Sequence, residues 1–367
     1  MRIVCPKAAL ATALGAAGRI ASAKSTIPVL GLVRLSAEAG SVELAATDME
    51  LSLRLPLNDA TVEEPGAVLL PRLAADIVRS MADGPVTIEH RANEGTARVS
   101  GGNSSFNLNC RPADEFPELP PTSDGGLALP AAAVLATADR VGRSASRDET
   151  RPVLTGVLVR IDTTGLTMVA TDSYRLAVQT ADLGDVAGEP QEAIVPARAL
   201  AELARLSAVV ESETIEVDLS HSQAQFAAGG ARLASRLIEG QFPDHRQLIP
   251  DAFEHELTFD RAELVAVLGR IGVLAQRGTA LRLSFSSGQM TVSASQENVG
   301  EGAESVPVAF SGEELEVGFN VEFLRAGVES VEGDEVRLGI ISPLRPGLLL
   351  GSDEAYRYLL MPIRLNP

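Results

Sequence analysis

Three copies of one pattern run through the chain, and nothing else in the sequence restricts its fold as strongly. Gly40-Ser41-Val42-Glu43-Leu44-Ala45-Ala46-Thr47-Asp48 aligns with Gly165-Leu166-Thr167-Met168-Val169-Ala170-Thr171-Asp172. A weaker third copy is Gly288-Gln289-Met290-Thr291-Val292-Ser293-Ala294-Ser295-Gln296. Each reads as a glycine and then an alternating strand, and in the first two copies an Asp closes the strand. A second block recurs with it. Leu69-Leu70-Pro71, Ile194-Val195-Pro196 and Val317-Gly318-Phe319-Asn320 each lead into a helical pattern, and a short alternating strand follows each helix. The period is about 120 residues, far above that of a solenoid, so the unit repeated is a whole domain. Three similar domains in series suit a geometric task better than a catalytic one.

Within each third the periodicity reads helix, strands, helix, strands. Ala8–Ala23 is expected to be helical, and Val29–Leu35, Val42–Leu55 and Ala97–Asn109 extended. Six helix-plus-strand units follow for the whole chain, an α+β fold with antiparallel sheets. Pro/Gly-rich stretches around Phe116-Pro117 and Phe242-Pro243 punctuate the thirds, setting domains at 1–122, 123–250 and 251–367. With 45% hydrophobic but only 4% aromatic residues and no Trp, the cores must be packed with Leu, Val, Ile and Ala.

A formal charge of −18 argues against a general basic nucleic-acid binder. The acidity rises from the first third to the last. Against that background the placement of cations is informative. Arg72 and Arg79 lie seven apart, turned from Leu73, Ile77 and Met81, and Arg198 and Arg205 repeat the spacing. Arg140, Arg143 and Arg147 fall at i, i+3 and i+7. Lys24 stands beside the first helix. These eight residues are candidate contacts for a phosphate backbone, of the kind that ignores base sequence.

Chemistry is sparse. Asp48 and Asp172 follow strands, where Asp most often bonds its own turn. His90, His221, His245 and His255 show no metal spacing, and no phosphate-cradling Gly-x-x-x-x-Gly-Lys-Ser/Thr loop occurs. No catalytic residue, metal or cofactor is expected. Cys5 and Cys110 are lone thiols, consistent with a reducing cytoplasm. The N-terminus lacks a signal-peptide core, and no apolar run is long enough to span a bilayer.

The motifs Thr26-Ile27-Pro28-Val29-Leu30-Gly31, Val169-Ala170-Thr171-Asp172-Ser173-Tyr174-Arg175-Leu176, Ile194-Val195-Pro196, Phe242-Pro243-Asp244, Val317-Gly318-Phe319-Asn320 and Leu360-Met361-Pro362-Ile363-Arg364-Leu365 complete the picture. In this order and spacing the chain resembles, over its whole length, the bacterial sliding clamps, the beta subunits of DNA polymerase III. The resemblance implies a head-to-tail homodimeric ring of three repeated clamp domains per chain, with helices lining a central channel and sheets outside. It implies a processivity factor, not an enzyme, that encircles duplex DNA. Its partners would be the polymerase alpha subunit, a clamp loader, and other polymerases and repair proteins carrying short binding peptides. A diverged second clamp copy, or an enzyme or scaffold reusing the fold, is the alternative.

The resemblance also implies a peptide pocket. From the second third it would use Leu154, Thr171, Ser173, Tyr174, Arg175, Leu176, Pro243 and Leu248. From the last third it would use Asn320, Phe323, Leu344, Met361, Pro362, Ile363 and Arg364. Leu176, Leu248, Met361 and Pro362 are expected as its floor, with Arg175 and Arg364 at the edge. Tyr174, Ile363 and the extension Asn366-Pro367 depart from the common family pattern and bear on ligand preference. Ring closure would pair Phe106 and Leu108 with Val273 and Leu274 of the partner copy, by apolar burial.

Overall fold

The computed structural model describes residues 1–22, 25–123, 125–184, 189–219, 222–275, 280–352 and 354–365. Six α-helices occur among them: α1 (Lys7–Ile20), α2 (Leu73–Ser80), α3 (Ala131–Gly142), α4 (Ala197–Val210), α5 (Arg261–Ile271) and α6 (Val321–Ser330). There are two per repeat, as the periodicity requires. The last two start on side-chain caps. Asp260 accepts from Glu263 N at 2.7 Å and Asn320 from Phe323 N at 3.1 Å, satisfying amides that a helix start leaves unpaired.

The chain forms two compact units, each described alone. The first comprises Met1–Leu135 and Arg198–Leu237. It holds a five-stranded sheet, ordered Thr61–Glu64, Arg2–Pro6, Pro85–Arg91, Thr96–Gly101, Ser104–Asn109, and an eight-stranded antiparallel sheet. In the larger sheet Ala231–Arg236 pairs with Leu51–Pro56, so strands of the first and second repeats share one hydrogen-bonded surface. Helix α1 buries Leu10, Leu14, Ala17 and Ile20.

The second unit comprises Ala136–Ala197 and Ile238–Pro367. Its eight-stranded sheet joins the second and third repeats in the same way, through Arg175–Ala181 against Tyr356–Leu360. A four-stranded sheet runs Gly300–Pro307, Gln289–Gln296, Ala280–Ser286, Leu315–Asn320. The core under the larger sheet gathers Val169, Leu176, Leu348 and Leu359, with Phe242, Ile249 and Phe253 laid over it. Gly339 lets the Phe253 ring lie flat, because a Cβ there would come within 2.6 Å of it.

Three sequence expectations change here. Val29–Leu35 opens as a 3₁₀ turn (Pro28–Gly31) before its strand begins at Leu32, since Pro28 fixes the first turn. Helix α2 turns Ala74, Ala75 and Val78 inward and leaves Leu73 58% exposed, while Met81 just past its end is buried as expected. Helix α3 stops at Gly142, so Arg147 does not continue the helical face of Arg140 and Arg143.

Candidate functional site

The Thr-Asp repeat builds one turn twice. In the second copy Asp172 Oδ1 accepts the backbone N–H groups of Tyr174 (2.9 Å) and Arg175 (3.0 Å). Thr171 Oγ1 donates to Arg175 O (2.6 Å) and accepts from Ser173 N (3.1 Å). In the first copy Asp48 Oδ1 accepts from Glu50 N (3.1 Å) and Leu51 N (2.8 Å), and Thr47 Oγ1 bonds Leu51 O and Met49 N, each at 3.0 Å. The third residue of each turn is left-handed, Met49 at φ 77° and Ser173 at φ 80°. Such strain persists only where side-chain bonds over-determine it, as they do here. The aspartates are structural turn residues.

The chain's end is laced onto the second turn. Met361 N donates to Tyr174 O at 2.9 Å, and Ile363 N to Gly318 O at 2.7 Å. Leu365 packs over Gly318, where a Cβ would lie 2.6 Å from Ile363 O. This brings Thr171–Leu176, Asn320 and Met361–Arg364 together through strand pairing and tail docking. Tyr174 and Met361 stay 62% and 43% exposed, and Leu248 and Leu344 are exposed as well. The frame therefore offers the large side chains of Tyr174 and Met361 to solvent, as a peptide-binding surface requires.

Two expected roles are corrected. Arg175 is not an open edge group. Its side chain is 13% exposed. It donates to Asp172 Oδ2 (3.0 Å), Arg143 O (2.5 Å) and Tyr358 Oη (3.5 Å) and lies 4.3 Å from the Phe323 ring centroid. Leu176 is sealed in the sheet core beneath Phe242, Ile249 and Phe253 rather than offered as a floor. Pro243 and Arg364 are exposed, and Leu154, Phe323, Pro362 and Ile363 half-buried. Sequence reasoning missed Tyr358, whose hydroxyl donates to Phe323 O at 2.8 Å, and Arg151, which donates to Ser173 Oγ at 3.1 Å. Burial pushes the Tyr358 phenol up to about 12, so it stays a neutral donor. No local pattern marks either residue. Only Gly318 carried a signal, as the odd glycine in Val317-Gly318-Phe319-Asn320.

The basic helix faces are closely accompanied by acid. Arg79 pairs with Asp76 (2.8 Å), Arg143 with Asp139 (2.6 Å) and Arg198 with Asp48 (2.5 Å). Arg205 and Arg19 share Glu202. Arg140 is mostly buried, held by Glu332 at 2.8 Å. Arg72 and Arg147 are exposed, and Lys24 lies outside the described residues. Much of the cationic stripe read from spacing is thus ion-paired, through local carboxylates for Arg79, Arg143 and Arg205 and through distant ones for Arg140 and Arg198. The Arg79–Asp76 and Arg143–Asp139 pairs are exposed on both sides and worth under about 1 kcal/mol, so a phosphate can displace those carboxylates cheaply, whereas Asp48 and Glu202 are largely buried.

At the candidate ring edge, Phe106 is 38% exposed and Val273 81%. Leu274 is half-buried against Gly302. Leu108 is buried within its own unit, where its end of the strand lies against Gly66–Pro71, so the expected two-residue apolar face shrinks to Phe106. His221 lies outside the described residues. Among the described residues no cluster of His, Cys, Asp or Glu could hold a metal ion. None of the described helices is long and apolar enough to cross a membrane.

Three family models together cover almost the whole chain. They are the DNA polymerase III beta subunit N-terminal domain over residues 1–120, the central domain over 128–244 and the C-terminal domain over 246–364. A beta sliding clamp of Synechococcus elongatus is 36% identical over 378 residues, and one of Streptomyces coelicolor 33% over 387, each with full coverage of both chains. The crystal structure of the Bacillus subtilis DNA polymerase sliding clamp superposes with a TM-score of 0.91 at 26% identity over both whole chains. A Pseudomonas aeruginosa clamp solved with griselimycin bound gives 0.89 at 28%, again over both whole chains.

Proposed function

Because the chain belongs to the DNA polymerase III beta subunit family, the sliding clamps, it is a non-catalytic processivity subunit of DNA replication, and we propose that it works as a closed homodimeric ring around duplex DNA. Its three clamp domains divide at 122 and 250. Two sheet edges support the ring: Ser104–Asn109, which carries Phe106, and Gly300–Pro307, against which Leu274 packs at Gly302. Each has unpaired backbone groups on one side, and pairing them head to tail between copies would satisfy both. The least acidic third would then meet the most acidic, so apolar contact and backbone bonds hold the ring closed while salt screens the repulsion. Arginines of the helices face the DNA and contact phosphates without reading bases, which permits sliding. The ring acts in the cytoplasm, loaded by a separate ATP-driven loader.

Partners dock through short peptides on the surface framed by Tyr174, Leu248, Leu344 and Met361. The observation that carries this site is the tail itself, tied at Met361 to Tyr174 O and at Ile363 to Gly318 O while the side chains of Tyr174 and Met361 stay exposed. The polymerase alpha subunit, the loader, other polymerases and repair proteins would share it. A fluorescence-polarisation titration of a Leu/Phe-containing clamp-binding peptide tests the site. Full-length protein should bind at micromolar strength, about −8 kcal/mol. Removal of residues 361–367 should abolish binding and leave the dimer mass unchanged. Equal affinity for both forms would remove the site assignment.

A further inference from the structure

The duplicated turn provides an internal comparison for Arg175. The turn at Thr47–Leu51 has the same hydrogen bonds as the turn at Thr171–Arg175, yet its last residue is Leu51, buried at 3% exposure. An arginine is therefore not needed to make the turn. At the first turn Asp48 Oδ2 accepts instead from Arg198, at the start of α4. The repeat places Ala199 where the second turn has Phe323. Arg175 must serve contacts that the first turn lacks, and these are visible. One arm reaches the carbonyl of Arg143, just beyond the last residue of α3. The guanidinium plane lies over the Phe323 ring, and the Tyr358 hydroxyl joins the two by accepting from Arg175 and donating to Phe323 O. The whole group is largely withdrawn from water, where charge-assisted bonds are strong and geometrically demanding.

We propose that Arg175 is a positioning residue that couples the end of α3 to the peptide site. It holds the Arg143 carbonyl, the Phe323 ring and the turn bearing Ser173 and Tyr174 as one body. Phosphate contact by the exposed Arg143 guanidinium at one end and peptide seating at the other then bias the same side chain. By linkage each event must alter the affinity of the other by the same factor. This inference rests on the clamp reading and on the peptide site proposed above.

The test measures peptide affinity by fluorescence polarisation at low salt, with and without a saturating blunt-ended duplex. The proteins are wild type, Arg175→Leu and Arg175→Lys. Wild type should show a duplex-dependent change in Kd of about fivefold or more. Arg175→Leu, which installs the residue natural to the first turn, should keep the dimer and the fold, with a lowered thermal midpoint because Asp172 loses its partner, but lose the change. If Arg175→Leu proves unstable, Arg175→Lys carries the same test, since it keeps the charge but cannot bridge three partners. A duplex effect that persists in either stably folded variant would overturn the coupling, as would a wild type whose Kd ignores DNA. A wild type that binds no peptide at all would overturn the site, and the coupling with it. One that binds peptide but no duplex would count against the clamp reading instead.

Discussion

Replacing Asp172 by Ala should unseat the peptide site, and the twin substitution Asp48→Ala should not, although both cost similar stability. The carboxylate of Asp172 is 12% exposed and accepts from Tyr174 N at 2.9 Å, Arg175 N at 3.0 Å and Arg175 Nε at 3.0 Å. Asp48 accepts from Glu50 N at 3.1 Å, Leu51 N at 2.8 Å and Arg198 at 2.5 Å. Bonds to a charged acceptor are worth about 1.5–3 kcal/mol each, but exposed Tyr174 and Glu50 regain water when released, so about 3 kcal/mol net is expected for either change. In domains of this size that lowers a thermal midpoint by roughly 10 °C. The left-handed Ser173 would relax once its turn is unlocked, moving Tyr174 and loosening the anchor of Met361. Peptide affinity should fall at least about tenfold for Asp172→Ala, equivalent to 1.4 kcal/mol, and stay within about twofold for Asp48→Ala. Calorimetry and peptide fluorescence polarisation measure the two effects side by side. Equal losses of peptide affinity, or an unchanged midpoint in both variants, would refute the reasoning.

Val273→Ala combined with Leu274→Lys should yield monomers in light scattering at micromolar concentration, and an unchanged dimer mass would exclude that edge. Replacing Arg72, Arg79, Arg198 and Arg205 by Ser should weaken duplex binding equally for all sequences and flatten its salt dependence, so a clear sequence preference would contradict sliding. Alkaline stability should follow Tyr358. Its folded-state pKa is raised, mainly by burial, so the unfolded chain loses the phenolic proton first. Its contribution is full below about pH 10 and declines as pH rises toward 12, by about 2–3 kcal/mol. The buried Tyr356 phenol beside it is raised for the same reason, so Tyr358→Phe should lessen that decline without removing it, in denaturation midpoints measured between these pH values.

The sequence by itself determined the modular plan. Periodicity gives two helices per repeat, and the Thr-Asp pair specifies a self-bonded turn, because each depends on residues a few positions apart. The tail motif around Met361 is legible for the same reason. Side-chain standing was decided by the tertiary structure. Arg175 and Arg364 look alike in sequence, yet one is locked between Asp172, Arg143 and Phe323 and the other faces solvent. Leu108 reads as the partner of Phe106 on one strand face, but only Leu108 is covered by its own fold. The carboxylates beside Arg79, Arg143 and Arg205 lie three or four residues away and are legible, whereas the hold of Asp48 on Arg198 and of Glu332 on Arg140 is not. Burial and pairing depend on which distant segments meet, such as Arg175–Ala181 against Tyr356–Leu360, and local periodicity carries no record of those meetings.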